Sequence, residues 1–125
     1  MLGLSGDVAI YLACGVTDMR KSFDGLAAIV EQELELDSLS GALFVFCNRR
    51  RDRLKVLFWD GSGLCVFAKR LERGTFSWPR CDAVSLRYSE LDLRCLLQGI
   101  DFNGVRERKW MRKSHRHDDL PKRIA

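Results

Sequence analysis

Seven basic residues flank an apolar hairpin sequence, and their side chains are of the types that bind phosphate. They lie in two short stretches, RRRDR at 49–53 and KRLER at 69–73, and comprise Arg49, Arg50, Arg51, Arg53, Lys69, Arg70 and Arg73. Clustered arginines neutralise phosphates whatever the base sequence. The pattern therefore predicts a surface for a polyanion, with DNA as the expected ligand, although a solvated charged surface is the simpler alternative.

The apolar sequence between these stretches positions them. Two strands, Arg53–Asp60 and Leu64–Leu71, are joined by Gly61-Ser62-Gly63, whose glycines tolerate the positive φ that a hairpin turn requires. With a two-residue loop, Arg53 faces Arg70, and the 49–51 connection lies at the same end of the hairpin. We call the seven residues of 49–53 and 69–73 the basic rim.

A third group of bases lies in the segment DMRKSFDG, which precedes a helical pattern. Thr17 or Asp18 is expected to cap a helix in which apolar residues recur at three- and four-residue spacing, namely Phe23, Leu26, Ala27, Val30 and Leu34. Arg20 and Lys21 would then lie in its first turn, where helix amides can help to hold a phosphate. The alternative is a capped helix start without a ligand.

Catalytic chemistry has few candidates in this sequence. Two-metal catalysis needs convergent carboxylates, and only Asp60, Glu90 and Asp92 follow predicted strands; a hairpin turn and a helix start explain them as well. The histidines, His115 and His117, lie in the C-terminal tail. We therefore predict no catalytic residue, no metal site and no cofactor, with a metal-dependent nuclease subunit as the enzymatic alternative.

The cysteines and the apolar runs indicate the compartment. Five cysteines are scattered without a C-x-x-C spacing, at positions Cys14, Cys47, Cys65, Cys81 and Cys95. An odd number without paired spacing predicts reduced, buried thiols, which require a reducing environment. No apolar run reaches the roughly 20 residues that span a bilayer, and the start lacks a basic signal region. We expect a cytoplasmic protein without membrane contact.

The 125-residue length fits one domain. Further strands are expected near Val8–Ala13, Ala42–Cys47 and the AVSL segment, and a second helix is expected after a Ser89 cap, with Leu91, Leu96 and Leu97 on its apolar side. The expectation is an α+β domain over residues 1–102, an antiparallel β-meander of about four or five strands with packed helices. Residues 103–125 are expected to form a basic, flexible tail.

The hairpin is apolar on both faces near its turn, so each face needs a cover. Helices can cover one face and a second copy of the chain the other, which makes a homodimer an expectation. Charge is also uneven, because residues 1–48 hold two bases against seven acids whereas residues 49–73 hold eight bases against three acids.

Three stretches resemble a known family, the small accessory proteins (TnpB) of bacterial insertion sequences of the insertion sequence 66 family. They are IYLACGVTDMRKSFDGLAAIV, GALFVFCNRRRDRLKVLFWDGSGLCVFAKRLERGTFSWP and LLQGID, which together span about residues 7–102. The resemblance implies a role in transposition, with the transposase and other proteins of the same element as partners. It supplies no catalytic residue.

Two readings of the basic rim remain open. In the first, a non-enzymatic accessory factor binds DNA through the rim. In the second, an assembly factor uses the same arginines against an acidic protein surface and has no DNA contact, as interface arginines commonly do.

Overall fold

The computed structural model describes residues 8–98, which form one mixed sheet with a helix on each face. In chain order the elements are β1 (Ile10–Ala13), α1 (Phe23–Ala28) with a π-helical continuation (Ile29–Glu33), β2 (Leu43–Cys47), β3 (Arg53–Trp59), β4 (Leu64–Arg70), β5 (Ser85–Tyr88) and α2 (Glu90–Gln98). The predicted α+β class with five strands is confirmed. The predicted boundary at residue 102 and the tail lie outside the described residues.

The strand order is β4-β3-β2-β1-β5, which departs from an antiparallel meander in one parallel pair and in the position of β5 beside β1. β2/β3, β3/β4 and β1/β5 are antiparallel, whereas β1 and β2 are parallel. The reason is the long connection through α1, which crosses over one face and returns the chain in the same direction. The first and last strands of the chain are thereby joined, with β1 between β2 and β5.

The β3/β4 hairpin has the register that the two-residue loop predicts. Arg53 pairs with Arg70 at one end and Trp59 with Leu64 at the other. At the turn, the Asp60 carboxylate accepts hydrogen bonds from the amides of Ser62 (2.9 Å) and Gly63 (3.0 Å). Gly61 has φ of +104° there, which an L side chain rarely adopts.

Two apolar clusters, one on each face, bury the sheet. On one face Leu26 and Val30 pack against Phe44, Phe46 and Leu57. On the other face the α2 side chains and the segment after β4 contribute buried apolar groups, including Leu93, Leu96, Phe76 and Trp78. The chain therefore covers the core of both faces itself, whereas Leu64, Cys65, Val66 and Phe67 near the hairpin turn are only half-buried.

The first helix begins later than predicted. Neither Thr17 nor Asp18 caps it, because Asp18 Oδ1 accepts a hydrogen bond from the Arg20 amide (2.9 Å) and α1 starts only at Phe23. Phe23 itself is 47% exposed, so the buried stripe starts at Leu26. Arg20 and Lys21 consequently lie in the loop before the helix, and the predicted first-turn position is wrong.

The second helix begins after Ser89, as predicted. Ser89 Oγ accepts a hydrogen bond from the Asp92 amide (3.0 Å), and the Asp92 carboxylate accepts one from the Ser89 amide (3.2 Å). This reciprocal pair satisfies two otherwise unpaired donors. The predicted apolar side is partly wrong, because Leu91 is 64% exposed and Leu93 takes its place in the core beside Leu96.

The structure contains a disulfide that the sequence pattern did not indicate. Cys14 at the end of β1 is bonded to Cys81 in the segment before β5, across a separation of 67 residues. The prediction that all thiols are reduced is thus wrong for this pair. Their proximity follows from the β1/β5 pairing, which continues in a hydrogen bond from the Cys14 amide to the Val84 carbonyl (2.9 Å). Cys47 is a buried free thiol, and burial raises its pKa to about 11.

Removing this bridge should lower stability. The double variant Cys14→Ser/Cys81→Ser is expected to lose about 2–4 kcal/mol in free energy of unfolding, because the bridge restricts a long loop in the unfolded chain. Urea denaturation with and without reductant measures the change. Reductant should destabilise the wild type and a Cys65→Ser control but leave the double variant unaffected; equal stability of all three would contradict the bridge.

Candidate nucleic-acid interface

The β2–β3 turn holds three arginines outward on a hydrogen-bonded frame. Asn48 Oδ1 accepts hydrogen bonds from the amides of Asp52 and Arg53, both at 3.1 Å, and Asn48 Nδ2 donates to Asp52 Oδ1 at 2.8 Å. The amide of Arg51 donates to the Asn48 carbonyl at 3.1 Å. Because Asn48 and Asp52 close the turn between them, Arg49, Arg50 and Arg51 all remain exposed.

Two backbone hydrogen bonds attach the segment after β4 to this turn. The Leu71 amide donates to the Asp52 carbonyl (2.8 Å), and the Phe76 amide donates to the Arg51 carbonyl (2.7 Å). Arg73 lies between these two attachment points and is exposed. The 49–53 and 70–73 parts of the basic rim therefore meet at one end of the sheet, as predicted.

Arg51 has an unusual backbone conformation. Its φ is +62°, in the left-handed region that residues with a Cβ occupy at a cost. The hydrogen bonds of the turn and the bond to Phe76 hold it there. Backbone strain of this kind clusters at functional sites, but Glu35, which lies outside the rim, also has positive φ (+57°).

Three of the candidate bases are paired with carboxylates. Arg20 lies 2.7 Å from Asp18, Arg70 lies 3.0 Å from Glu72, and Arg50 lies 4.0 Å from Asp52. The hydrogen bonds from Arg20 lower the pKa of Asp18 to about 2, so this carboxyl is ionised at neutral pH. The pKa of Asp52 is lowered chiefly by the hydrogen bond from the Asn48 side chain.

Four other rim bases have no such partner. Within residues 8–98, no carboxylate oxygen lies within 4 Å of their side chains, which are those of Arg49, Arg51, Arg53 and Arg73. All four are exposed. We call them the unpaired rim arginines. None of them forms an ion pair with an acid in the described part of the chain, and their side chains face solvent; Arg53 also helps to lower the pKa of Asp52 by its charge.

Lys69 is turned away from the other rim residues. Along β4 successive side chains alternate between faces, so Lys69 lies on the α2 face whereas Arg70 lies on the α1 face with Arg53. Its ammonium donates to the Leu97 carbonyl at 2.5 Å, near the C-terminal end of α2, where a cation is favourable. The hairpin register alone did not indicate this separation.

The loop before α1 lies beside the rim. The Thr17 amide donates to the Cys47 carbonyl (2.9 Å), and the Lys55 ammonium donates to the Lys21 carbonyl (2.8 Å). Arg20 and Lys21, both exposed, thus lie on the rim side of the sheet, a position that the sequence did not predict. Lys55 was missed in the sequence, although a lysine at a core-facing position of a strand was a usable signal.

A cleft of about 650 Å³ opens between this loop and the rim. Its lining combines bases, acids and apolar groups from 16–19, 48–50, 52–53 and 70–72. The acids Asp18, Asp52 and Glu72 are those that pair with arginines. The cleft is therefore mixed in charge, and its excess positive charge comes from Arg49 and Arg53, two unpaired rim arginines that line it.

The carboxylates considered for metal catalysis serve local structure. Asp60 closes the hairpin turn, Asp92 bonds the start of α2, and Glu90 pairs with Arg94 at 3.0 Å. No group of three or more histidine, cysteine or acidic side chains within residues 8–98 is arranged to hold a metal ion. The two histidines of the tail lie outside the described residues. Neither helix of the described part has the length and apolar content to span a membrane.

Comparison with known proteins places the chain in a family. A family model described as IS66 Orf2 like protein matches residues 8–107. The chain belongs to the IS66 Orf2-like family. Membership of this family supports an accessory role in the transposition of an insertion sequence, which agrees with the resemblance in the sequence.

Two relatives of this IS66 Orf2-like protein come from Sinorhizobium fredii. Uncharacterized protein y4hO is 43% identical over 107 residues, covering 86% of this chain and 93% of the relative. Uncharacterized protein y4jC is 35% identical over 108 residues, covering 86% and 92%. No solved structure matches the chain.

The strain at Arg51 can be measured. Arg51→Gly is expected to raise the free energy of unfolding by about 1 kcal/mol relative to Arg51→Ala, because glycine adopts positive φ without the Cβ penalty. Urea denaturation gives the difference. Glu35→Gly is the matched control for introducing glycine at a left-handed residue, because Glu35 has φ of +57° and lies outside the rim. Equal stability of the Arg51→Gly and Arg51→Ala variants would contradict the strained turn.

Proposed function

We propose that the protein is a non-enzymatic accessory factor in transposition that binds the DNA backbone through its unpaired rim arginines. The observation that supports this most is the concentration of Arg49, Arg51, Arg53 and Arg73 at one end of the sheet with no carboxylate partner in residues 8–98. Each can replace the counterions of a phosphate, which favours binding independently of base sequence.

The fixed turn favours such binding. Arginines on a flexible loop lose conformational entropy when they bind, whereas the Asn48–Asp52 hydrogen bonds already hold the backbone of 49–51. Only the side chains remain to be ordered. Contacts with phosphate also need no groove-reading element, so the rim arginines can bind the DNA backbone without base readout.

The expected partners are the element's DNA and its transposase, and the expected compartment is the cytoplasm, where that DNA resides. Disulfides are mostly reduced in that compartment. Binding should therefore be measured both with and without reductant, because Cys14 of the Cys14–Cys81 bridge leads into the loop that lies beside the rim.

A second candidate is an assembly factor that docks on the transposase without touching DNA. The mixed cleft favours it, because Val16 is 58% exposed there beside Met19 and Leu71, and three ion pairs surround them. An apolar centre with arginines and acids around it is typical of a protein interface. The two candidates differ in whether the unpaired rim arginines are needed for DNA or for protein.

Neutralising the rim should weaken DNA binding equally for all sequences. The triple variant Arg49→Gln/Arg51→Gln/Arg53→Gln is expected to flatten the slope of log affinity against log salt by up to about 2.7, because each phosphate contact contributes roughly 0.9. Fluorescence anisotropy with element-end and unrelated duplexes, over a range of salt concentrations, measures it. Circular dichroism checks that the fold is retained.

The control variant removes the same charge elsewhere. Arg80→Gln/Arg87→Gln/Arg94→Gln lowers the net charge by the same amount, on exposed residues of the segment before β5, β5 and α2. It should keep most of the salt slope. If both triple variants behave alike, the effect is one of net charge and the rim is not the DNA surface. If the rim variant keeps DNA binding and loses the transposase in a pull-down, the assembly-factor reading is correct.

A further inference from the structure

The outer edge of β4 carries unpaired backbone groups within residues 8–98. β4 is the last strand of the sheet and pairs only with β3. The bonds Asp60 amide to Gly63 carbonyl and Leu71 amide to Asp52 carbonyl fix the alternation of the ladder. Accordingly, Cys65, Phe67 and Lys69 exchange backbone hydrogen bonds with β3, and the other β4 residues direct theirs outward. The outward set is Leu64, Val66, Ala68 and Arg70.

In the described part of the chain the edge also lacks the usual protection. Natural edge strands are short, contain proline or bulges, or are covered. β4 is seven residues long without proline, and its pairing with β3 is unbroken from Trp59–Leu64 to Arg53–Arg70. Its charged residues are confined to one end, at Lys69 and Arg70. At the other end Leu64, Cys65, Val66 and Phe67 are each only half-buried.

We propose that a second copy of the chain adds its own β4 to this edge, antiparallel, with Phe67 facing Phe67 of the partner on the two-fold axis. In this register Val66 faces the partner's Ala68 and Leu64 faces the partner's Arg70, so outward backbone groups meet outward backbone groups. Cys65 faces the partner's Lys69. No like charges are opposed, and apolar contacts form on both faces of the joined sheets.

Self-pairing of β4 is favoured over pairing of β4 with the other edge strand, β5. β5 has only four residues, Ser85–Tyr88, against seven in β4. Pairing of β4 with β5 of another copy would be a head-to-tail contact, which leaves further edges open and grows into filaments. The β4–β4 contact is isologous and closes at two copies.

The dimer separates the two basic rims. Arg70 of each copy lies three residues from Phe67, so the two Arg70 residues are about 20 Å apart along the strand direction. A two-fold axis perpendicular to the sheet leaves both α1 faces on the same side. The repulsion between rims is therefore small at ordinary salt. The proposed dimer does not depend on whether the rim binds DNA.

Mass and amide exchange together test the contact. Sedimentation of the full-length chain should give twice the 14.4 kDa mass as concentration rises. In the concentrated sample the amides of Val66 and Ala68 should exchange about 10-fold or more slowly than in a dilute one, with Phe67 protected in both because it bonds to β3. A protein that remains monomeric at all concentrations would overturn the proposal. Protection of Val66 and Ala68 in a monomer would also overturn it, in favour of another segment of the same chain.

Proline substitution separates this edge from the other. Ala68→Pro removes one outward amide per copy but no bond to β3, so the dissociation constant should rise about 10- to 100-fold with the far-ultraviolet spectrum unchanged. Ser85→Pro likewise removes one outward amide from β5. The hydrogen bond from the Cys14 amide to the Val84 carbonyl fixes the alternation of the β1/β5 ladder, so residues 85 and 87 direct their backbone groups away from β1. Loss of association with Ser85→Pro alone would contradict the β4 contact.

Crosslinking tests the register even if the proline variant fails to fold. Phe67→Cys places two thiols opposite each other at the axis, at a non-hydrogen-bonded pair with Cα atoms about 4.5 Å apart, which a disulfide can bridge. Mild oxidation should then trap a covalent dimer rapidly. Leu64→Cys places the thiols about 20 Å apart and should not crosslink. Equal crosslinking of the two variants would overturn the register.

Discussion

The register of β3 against β4 places two arginines opposite each other because the same register buries the apolar side chains of both strands. Leu54, Val56 and Leu57 are fully buried in this arrangement. Each such side chain contributes about 1.5–3 kcal/mol, whereas two exposed charges a few ångströms apart in water repel by about 1 kcal/mol. A one-residue slip would move every core side chain of the strand to the opposite face of the sheet, where it does not fit the packing, to relieve that small repulsion. Burial of apolar side chains therefore determines the register, and the opposition of Arg53 and Arg70 is its consequence.

The pairing of β3 with β4 also brings together the parts of the rim, which are distant in the chain. Once β3 is fixed between β2 and β4, the β2–β3 turn and the segment after β4 must lie together at one end. Asn48 stabilises the turn from within, and the bonds to the Asp52 and Arg51 carbonyls attach Leu71 and Phe76 from outside. The loop before α1 joins them because β1 lies parallel to β2, so that the chain leaving β1 passes the end of β2 at Cys47. Charge concentrates there as a result of topology.

What the sequence predicted well is local. The hairpin needs only alternating apolar residues, a glycine turn and a short loop, all within about 20 positions, so its register and the Arg53–Arg70 pair were predictable. The start of α2 was predictable because Ser89 and Asp92 form a local cap. The rest depends on contacts between distant segments. The Cys14–Cys81 bridge follows from the β1/β5 pairing, which the spacing of the cysteines in the sequence does not indicate.

The same distinction between local features and contacts of distant segments explains which parts of the candidate site could be predicted. Exposure of Arg49, Arg50 and Arg51 follows from a polar turn, but the pairing of Arg70 with Glu72 and the bond from Lys69 to α2 depend on side-chain direction and on the far side of the sheet. The Asp18 carboxylate was not expected to take Arg20 as its partner, because the predicted helix start assigned it another role. The number of basic residues in the sequence therefore overstates the net positive charge of the cleft, because it leaves out the acids that pair with them. It does locate the basic rim beside the cleft correctly.

The unpaired rim arginines do not hold the fold together. Exposed guanidinium groups remain hydrated, and even exposed ion pairs contribute only about 0–1 kcal/mol, so the fold gains little or nothing from these four side chains. Arg51 adds a cost, since its left-handed backbone would suit glycine better. Strain at such a residue is a reason to ask what its side chain does outside the fold. A guanidinium held outward on a closed turn, beside three others without an ion-pair partner in residues 8–98, is available to an anion.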